Sequence, residues 1–446
     1  MCRRAWCSPT LGAVLPRRNG GRFFGWNVVA AGASVEFMLG ILFQQALGGY
    51  AAAITRQFDW SRGALGLGFS LAGSGGNILG PPQAWLLQRF GPASVIRAGL
   101  VVLAAGFVLF SRIDSFGGFF VALGVMTIGG GVAGSLPVSV AVVNWFVRRR
   151  TRALGLVEAG RVLGGLLAPL IILAIIELGW RQVALASAIL VLAIGIPATI
   201  FVRTSPTEMG LHADGLAEPE HRPHHETDQT STLPARTDPV DFTTGEALRS
   251  PAFWLISLGH GSALFVVSAV SVHMFLYLTG SLGYADGQAV ILIGLMTTAR
   301  ICGLAFAAAA GDRTSKRAIA VVAMVMHSAA LLLVVHVGTV VGAVGWALLH
   351  GAAWGSRGSL MGALRADYFG RSSFGMIMGI SSIIVAVGAL GGPVIAGVLY
   401  DRTGSYAPGF TVIATIAAAG SLFFAFAARP AHPVRASMPA SHSRFR

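Results

Sequence analysis

Five charged side chains lie inside stretches that are otherwise apolar: Glu36, Glu158, Arg161, Arg300 and Arg357. A guanidinium in such surroundings offers a planar fork of donors that matches a carboxylate, and dryness strengthens the pairing. A carboxyl group in the same surroundings can carry a proton. Glu158 and Arg161 are three residues apart, so a helix sets them on one face, where they can neutralise each other. A charge held at mid-membrane depth costs about 2.5–3.5 kcal/mol on insertion scales, so each one needs a partner, water or a ligand. Anion binding and proton movement are therefore the chemistry on offer. Covalent catalysis is not, because the apolar stretches hold no paired Asp, no His-rich metal box and no nucleophile beside a base.

The elements that must position these groups follow from composition. The chain has 446 residues, 54% of them apolar and only 11% charged. Soluble proteins carry about 25% charged residues, so an aqueous enzyme is excluded and an all-α membrane protein is expected. Apolar stretches long enough to span a bilayer run at about 24–46, 63–86, 93–111, 116–146, 151–177, 182–202, 251–279, 287–310, 318–338, 340–364, 373–399 and 406–428. The first is too long for a cleavable signal peptide and eleven follow it, so it is read as retained. Residues 203–250 hold nine acids, four Arg, four His and five Pro, a composition that reads as a solvated linker. His221, His224 and His225 in it have no fixed geometry for a metal, and no cofactor is expected. The predicted organisation is a tail over 1–22, a six-helix half over 23–202, the linker over 203–250, a second half over 251–428 and a tail over 429–446.

Of the 32 Arg and Lys residues, 24 fall on segments facing one side if the first end is cytoplasmic. Five (Arg56, Arg62, Arg112, Arg181, Arg402) face the other, and three lie within spans. The positive-inside rule then puts both termini in the cytoplasm. Most of the net charge of +14 is therefore topology, and nucleic acid is not an expected partner. Lys316 is the single lysine, an Arg bias that reads as a GC-rich bacterial gene and hence an inner-membrane protein. Three cysteines, two of them in the first tail, give no disulfide framework. Gly129-x-Gly131-x-x-Gly134 spells a dinucleotide fingerprint, but it sits inside an apolar span with no strand before it, so helix packing is the reading.

Depth follows from the helical rise of about 1.5 Å per residue: Arg300 lies about 18 Å from Asp312, Arg161 about 15 Å from Thr151, and Glu36 about 20 Å from Phe23. All three fall near the midplane. Arg357 is about 12 Å from Arg365 and His260 about 14 Å into the seventh span. The other histidines read as packed or interfacial.

The two halves repeat a signal, Gln88-Arg89-Phe90-Gly91-Pro92 after the second span and Gly311-Asp312-Arg313-Thr314-Ser315-Lys316-Arg317 after the eighth. Here the chain resembles the major facilitator superfamily, with twelve helices in two pseudo-symmetric halves. Gly25-Trp26, Gly80-Pro81-Pro82, Asn144-Trp145-Phe146, Gly179-Trp180-Arg181, Asp367-Tyr368-Phe369-Gly370-Arg371, Gly391-Gly392-Pro393 and Asp401-Arg402-Thr403-Gly404-Ser405-Tyr406 give it the look of the monocarboxylate transporter and oxalate:formate antiporter branch. The resemblance implies alternating access around a midplane site. There Arg300 would bind the substrate carboxylate, with Arg161 and Arg357 as further anion ligands, and Arg89, Asp312 and Arg313 would latch the cytoplasmic side. Three positions depart from the branch. Gln88 replaces the usual Asp, Met296 stands where monocarboxylate members carry an Asp before the Arg, and 373–399 contains no Lys. Proton coupling would then fall to Glu36, Glu158 or His260. The expected function is secondary transport of a small organic anion, a monocarboxylate first, by a monomer in the bilayer. The alternatives are a carboxylate exchanger, an efflux pump for hydrophobic or cationic compounds, and a membrane sensor without transport. Membrane acids should dominate in a cation pump, whereas here Arg outnumbers them, and the longest loop is too short for a sensor's output domain.

Overall fold

In lipid a backbone can satisfy its polar groups only within helices or closed barrels. Accordingly, every described apolar span is helical, and the described residues contain no strand. The computed structural model describes residues 23–44, 46–58, 60, 75–215 and 241–431. The first predicted tail, residues 432–446 of the second, residues 63–74 of the predicted second span, Arg62, and the linker histidines His221, His224 and His225 lie outside the described residues.

The spanning helices are α1 (Gly25–Gln57), α2 (75–90), α3 (92–111), α4 (Phe116–Trp145), α5 (Arg150–Leu178), α6 (Trp180–Phe201), α7 (Pro251–Ser281), α8 (Asp286–Ala310), α9 (Lys316–His336), α10 (Val340–Phe369), α11 (Phe374–Thr403) and α12 (Ala407–Phe426). Helices α2 and α3 run on through Gly91, whose φ of 73° is open to glycine and turns the chain between them. Helix α10 is long enough to span but carries Arg357, Arg365 and Asp367. Large apolar side chains such as Val121, Ile189, Val341 and Phe426 stay more than half exposed, as a lipid-facing surface requires.

Several helices outrun the apolar stretches that announce them. Helix α1 reaches Gln57 through a π-turn at Leu39–Gln44, α10 reaches Phe369 and α11 reaches Thr403. Hydrogen bonding continues past the hydrocarbon edge, so polarity marks the bilayer boundary and not the helix end. Arg365, one residue past the predicted tenth span, is thereby helical and buried, and Arg97, inside the predicted third span, donates to Thr199 Oγ1 at 2.7 Å. The glycines of the apparent dinucleotide fingerprint sit in α4, where Gly129 backs onto the Leu103 backbone of α3.

Two hydrophobic cores form, one drawn from 28–202 with Ala363, Ala366 and Phe374, the other from 242–427. They share a closing device at equivalent places. Trp145 Nε1, at the end of α4, donates to the Arg203 carbonyl at 3.0 Å, and the Tyr368 hydroxyl, at the end of α10, donates to the Ala427 carbonyl at 2.8 Å. The segment expected to be a solvated linker is ordered and packed at both ends. Asp214 accepts from the amides of Val147 and Arg148, and Asp241 from those of Arg371 and Ser372. A short helix, Thr244–Arg249, starts from a Thr243–Glu246 capping box and buries Ala247. The acids that made this segment look soluble are partly spent on backbone donors at helix junctions.

Candidate functional site

Helices α1, α5 and α8 converge near mid-depth. Gly160 of α5 lets the Ala33 carbonyl of α1 approach where a Cβ would stand 2.2 Å from it, and this brings Glu36 to Arg161. Arg161 Nε lies 3.3 Å from Glu36 Oε2, and its Nη2 donates to Glu158 Oε2, one turn earlier on the same helix. The other Glu158 oxygen accepts from Arg300 Nη2 at 3.1 Å, across from α5 to α8. The Arg300 guanidinium lies over the Trp354 ring of α10, 3.9 Å from its centroid, well within cation–π range.

Two acids and two bases therefore form one chain, Glu36–Arg161–Glu158–Arg300, neutral overall and ending on an aromatic face. Its exposure is graded: Glu36 is 1% exposed, whereas the side chains of Glu158, Arg161 and Arg300 are 19%, 26% and 15% exposed. Glu36 Oε1 has no hydrogen-bond partner. A guanidinium has five donors, and Arg300 commits one of them to protein. The remainder of its edge suits an incoming carboxylate, while Trp354 fixes the plane in which that fork lies.

The structure brings together four of the sequence candidates and separates two. Glu36 meets Arg161 and Arg300 meets Glu158, so Arg300 and Glu36 are joined only through the other two. Arg357 is fully buried in α10 and does not reach toward an interface. His260 sits apart, its Nδ1 3.4 Å from Arg365 Nη2. His327 and His350 are packed against each other, Nδ1 to Nδ1 at 3.1 Å. Trp354 escaped sequence reasoning because a lone tryptophan in a span carries no signal of what it faces.

The ends where α2 meets α3, α4 meets α5, α8 meets α9 and α10 meets α11 carry most of the loop arginines, and the two halves touch there. The expected latch of Arg89, Asp312 and Arg313 is built differently. Arg89 is exposed and lies over Trp85 and Phe90, and Arg313 is exposed without an ion pair among the described residues. Gln88 supplies no carboxylate to hold Arg89. Asp312 does join the halves, accepting from the amides of Thr151 and Arg152 at 2.8 and 3.1 Å, where the dipole of α5 favours an anion. Beside it Asp367 binds Arg150 at 2.9 Å and Lys316 at 2.8 Å, and Arg371 donates to the Asn144 carbonyl at 3.1 Å. Asp367 thus ties α5 of one half to α9 and α10 of the other.

Removing that tie should loosen this end. With Asp367→Asn the loss of two charge-assisted contacts is expected to cost about 1–2 kcal/mol, a roughly five- to thirtyfold shift toward opening. A Ser359→Cys reporter, in a background where the native cysteines are replaced, should be labelled correspondingly faster by a water-soluble maleimide. An unchanged labelling rate would show that the contacts of Asp312 and Arg371 keep the end shut without it.

The sequence pattern of the Major Facilitator Superfamily matches residues 30–358. The chain is similar to the Fujikurins efflux protein of Gibberella fujikuroi, 28% identical over 148 residues, and to the MFS-type transporter pynF of Aspergillus niger, 30% identical over 144 residues. Each of these alignments spans 32% of the relative's own length and about a third of this chain. Among solved structures, the human organic anion transporter MFSD10 (TETRAN) superposes with a TM-score of 0.68 at 16% identity, covering 90% of this chain and 99% of that one. The E. coli Fucose:proton symporter FucP superposes with a TM-score of 0.65 at 16% identity, covering 92% and 100%. At such identities the likeness is one of fold.

Proposed function

The chain belongs to the Major Facilitator Superfamily and is a multi-pass membrane transporter, and we propose that its cargo is a small organic anion, a monocarboxylate first, carried by alternating access. The single observation behind this reading is Glu158, shared between Arg161 on its own helix and Arg300 of the opposite half. We assign the arginine-rich end to the cytoplasm of a bacterial inner membrane, with both termini on that side. The halves touch at that end, so this conformation is closed on that side. A carboxylate entering from outside meets Arg300 and competes with Glu158 for its donors.

A proton on Glu158 removes that competition. The carboxylate then takes the Arg300 fork, and the direct tie between the halves at mid-depth is replaced by one that passes through the cargo. Arg161 stays neutralised by Glu36 throughout, so the exchange of partners at Arg300 leaves that pair intact. A ligand moves a conformational equilibrium only through its different affinities for the two states, and this exchange of partners supplies such a difference.

The test is uptake into proteoliposomes holding the purified protein. A labelled monocarboxylate should accumulate when the outside is acidified, and Glu158→Gln should abolish the dependence on the pH gradient while countertransport persists. Flux indifferent to the gradient but driven by internal carboxylate would make the protein an exchanger. The similarity to the Fujikurins efflux protein favours a second reading, export of a larger organic compound. That reading gains if lipophilic compounds and not carboxylates stabilise the protein.

A further inference from the structure

At the arginine-rich end of the second half, where α9 begins beside the ends of α10 and α12, the helices leave a cavity of about 420 Å³. Its walls carry Ser315, Lys316 and Arg317 at the start of α9, Asp367 and Tyr368 of α10, and Arg429 just past α12. One atom ties these walls together, the Ala427 carbonyl that ends α12. The Tyr368 hydroxyl donates to it at 2.8 Å, and Arg317 Nη1 reaches it at 3.5 Å. Arg429 follows two residues later, exposed and without a hydrogen bond or ion pair among the described residues.

Charge in this cavity is unbalanced. Asp367, the acid on its wall, is already matched twice, by Lys316 at 2.8 Å and by Arg150 at 2.9 Å. Asp312, close by in sequence, is spent on the amides of Thr151 and Arg152. Arg317 and Arg429 are therefore left without a carboxylate among the described residues. The one contact of Arg317 is long, so most of its five donors stay free for a guest. Ser315 adds a hydroxyl: its oxygen accepts from the Ala318 amide at 3.3 Å, and its own hydrogen remains to be given. The cavity also borders lipid. Helices α9 and α12 pack side by side, Met324 reaching to where a Cβ on Gly420 would stand 2.5 Å from its methyl group. Beyond the cavity Val322 of α9 and Leu422 and Phe426 of α12 are each more than half exposed. Val322 is only five residues from Arg317, about 7.5 Å along the axis, so free cations and bare hydrocarbon meet within two turns.

We propose that the cavity between α9, α10 and α12 is a headgroup site for an anionic phospholipid, its phosphate held by Arg317 and Arg429 with the Ser315 hydroxyl and its acyl chains lying along the exposed faces of α9 and α12. Basic groups at a membrane surface attract anionic lipid one by one, and a cavity that gathers two of them gives the headgroup a fixed place. The apolar faces beside it decide the source of the phosphate, since a soluble phosphate has no use for them. The state of Asp367 decides the headgroup. A zwitterionic lipid brings an ammonium that the free guanidiniums repel, and the one acid on the wall already holds two cations. A bound lipid joins α9 to the end of α12 and stabilises the folded chain in proportion to its occupancy, whatever cargo is carried.

The probe is dioleoyl phosphatidylglycerol titrated into the purified full chain in a non-ionic detergent, with the melting temperature as readout. A saturating rise is expected, and dioleoyl phosphatidylcholine at the same mole fractions should give none. Arg317→Gln and Arg429→Gln should each raise the half-saturating mole fraction about fivefold, and about twentyfold together. Arg429 touches nothing else among the described residues, so its variant decides the matter alone if Arg317→Gln does not fold. Arg148→Gln removes an exposed charge at the same end but outside the cavity, and should leave the curve where it was. A flat titration overturns the proposal, as does a curve unmoved by both Arg317→Gln and Arg429→Gln. An equal shift in Arg148→Gln would reduce the effect to general attraction by a basic surface and overturn the site. Equal stabilisation by phosphatidylcholine, or by glycerol phosphate without its acyl chains, would overturn the anionic lipid as the guest.

Discussion

Arg300→Gln is expected to weaken the binding of a small carboxylate by about a hundredfold or more, because two charge-assisted hydrogen bonds at about 1.5–3 kcal/mol each are lost together. Glutamine keeps one donor and much of the length, yet it loses the charge, the fork and the stacking on Trp354. Glu158 is not orphaned by the change, since Arg161 still holds its other oxygen, so the protein should fold. Arg300→Lys separates the contributions. It restores the charge and should recover part of the attraction, but a point charge lacks the planar fork. The measurement is a thermal-shift or calorimetric titration of a carboxylate series on wild type and both variants. An affinity that stays within a few-fold of wild type in Arg300→Gln would remove this residue from the site and leave only the fold and its charge chain.

The fold was legible because lipid imposes a simple code. A run of about 20 apolar residues must become a helix, and the bias of loop arginines gives the order of crossings. What the code omits is everything beyond the hydrocarbon edge. Arg365 looked like a loop residue because the apolar run thins before it, yet α10 carries it on as a buried side chain. Asp214 and Asp241 looked like linker acids, yet each binds amides at a helix junction. The site was half legible. Charges at mid-depth stand out one by one, and the i, i+3 spacing of Glu158 and Arg161 gives their pair, because local geometry is fixed by the helix alone. Which of two acids meets Arg300 depends on the relative rotation of α5 and α8, and no residue spacing encodes that. The latch was legible only at Asp312, for a similar reason: Asp367 stood in a quoted motif, but its reach to Arg150 and Lys316 is a matter of tertiary structure.

The placement of α8 within its own half is fixed by its seam with α10, and Gly355 is where that seam is tightest. A Cβ on Gly355 would stand 1.9 Å from the Arg300 carbonyl oxygen, one on Gly351 2.1 Å from the Met296 carbonyl, and one on Gly303 2.2 Å from the Ala352 carbonyl. Lipid tails are as apolar as the side chains, so nothing hydrophobic presses these helices together, and their association rests on this close fit. A non-bonded carbon settles about 3.5 Å from its neighbour, so even a methyl group forces the seam open by about 1.5 Å. Overpacking of this kind costs about 1–3 kcal/mol, and the branched side chain of Gly355→Val should cost more. Because the strained atom belongs to Arg300 itself, the guanidinium must shift relative to Trp354 and Glu158. Gly355→Ala should therefore lower both the melting temperature and the carboxylate affinity, and Gly355→Val should yield little folded protein. Gly358, three residues on, has no atom within 4 Å of its would-be Cβ, so Gly358→Ala should stay within about 0.5 kcal/mol of wild type. If Gly355→Ala melts and binds like wild type, the helices have slack that this packing denies, and Arg300 is not held in place by the seam.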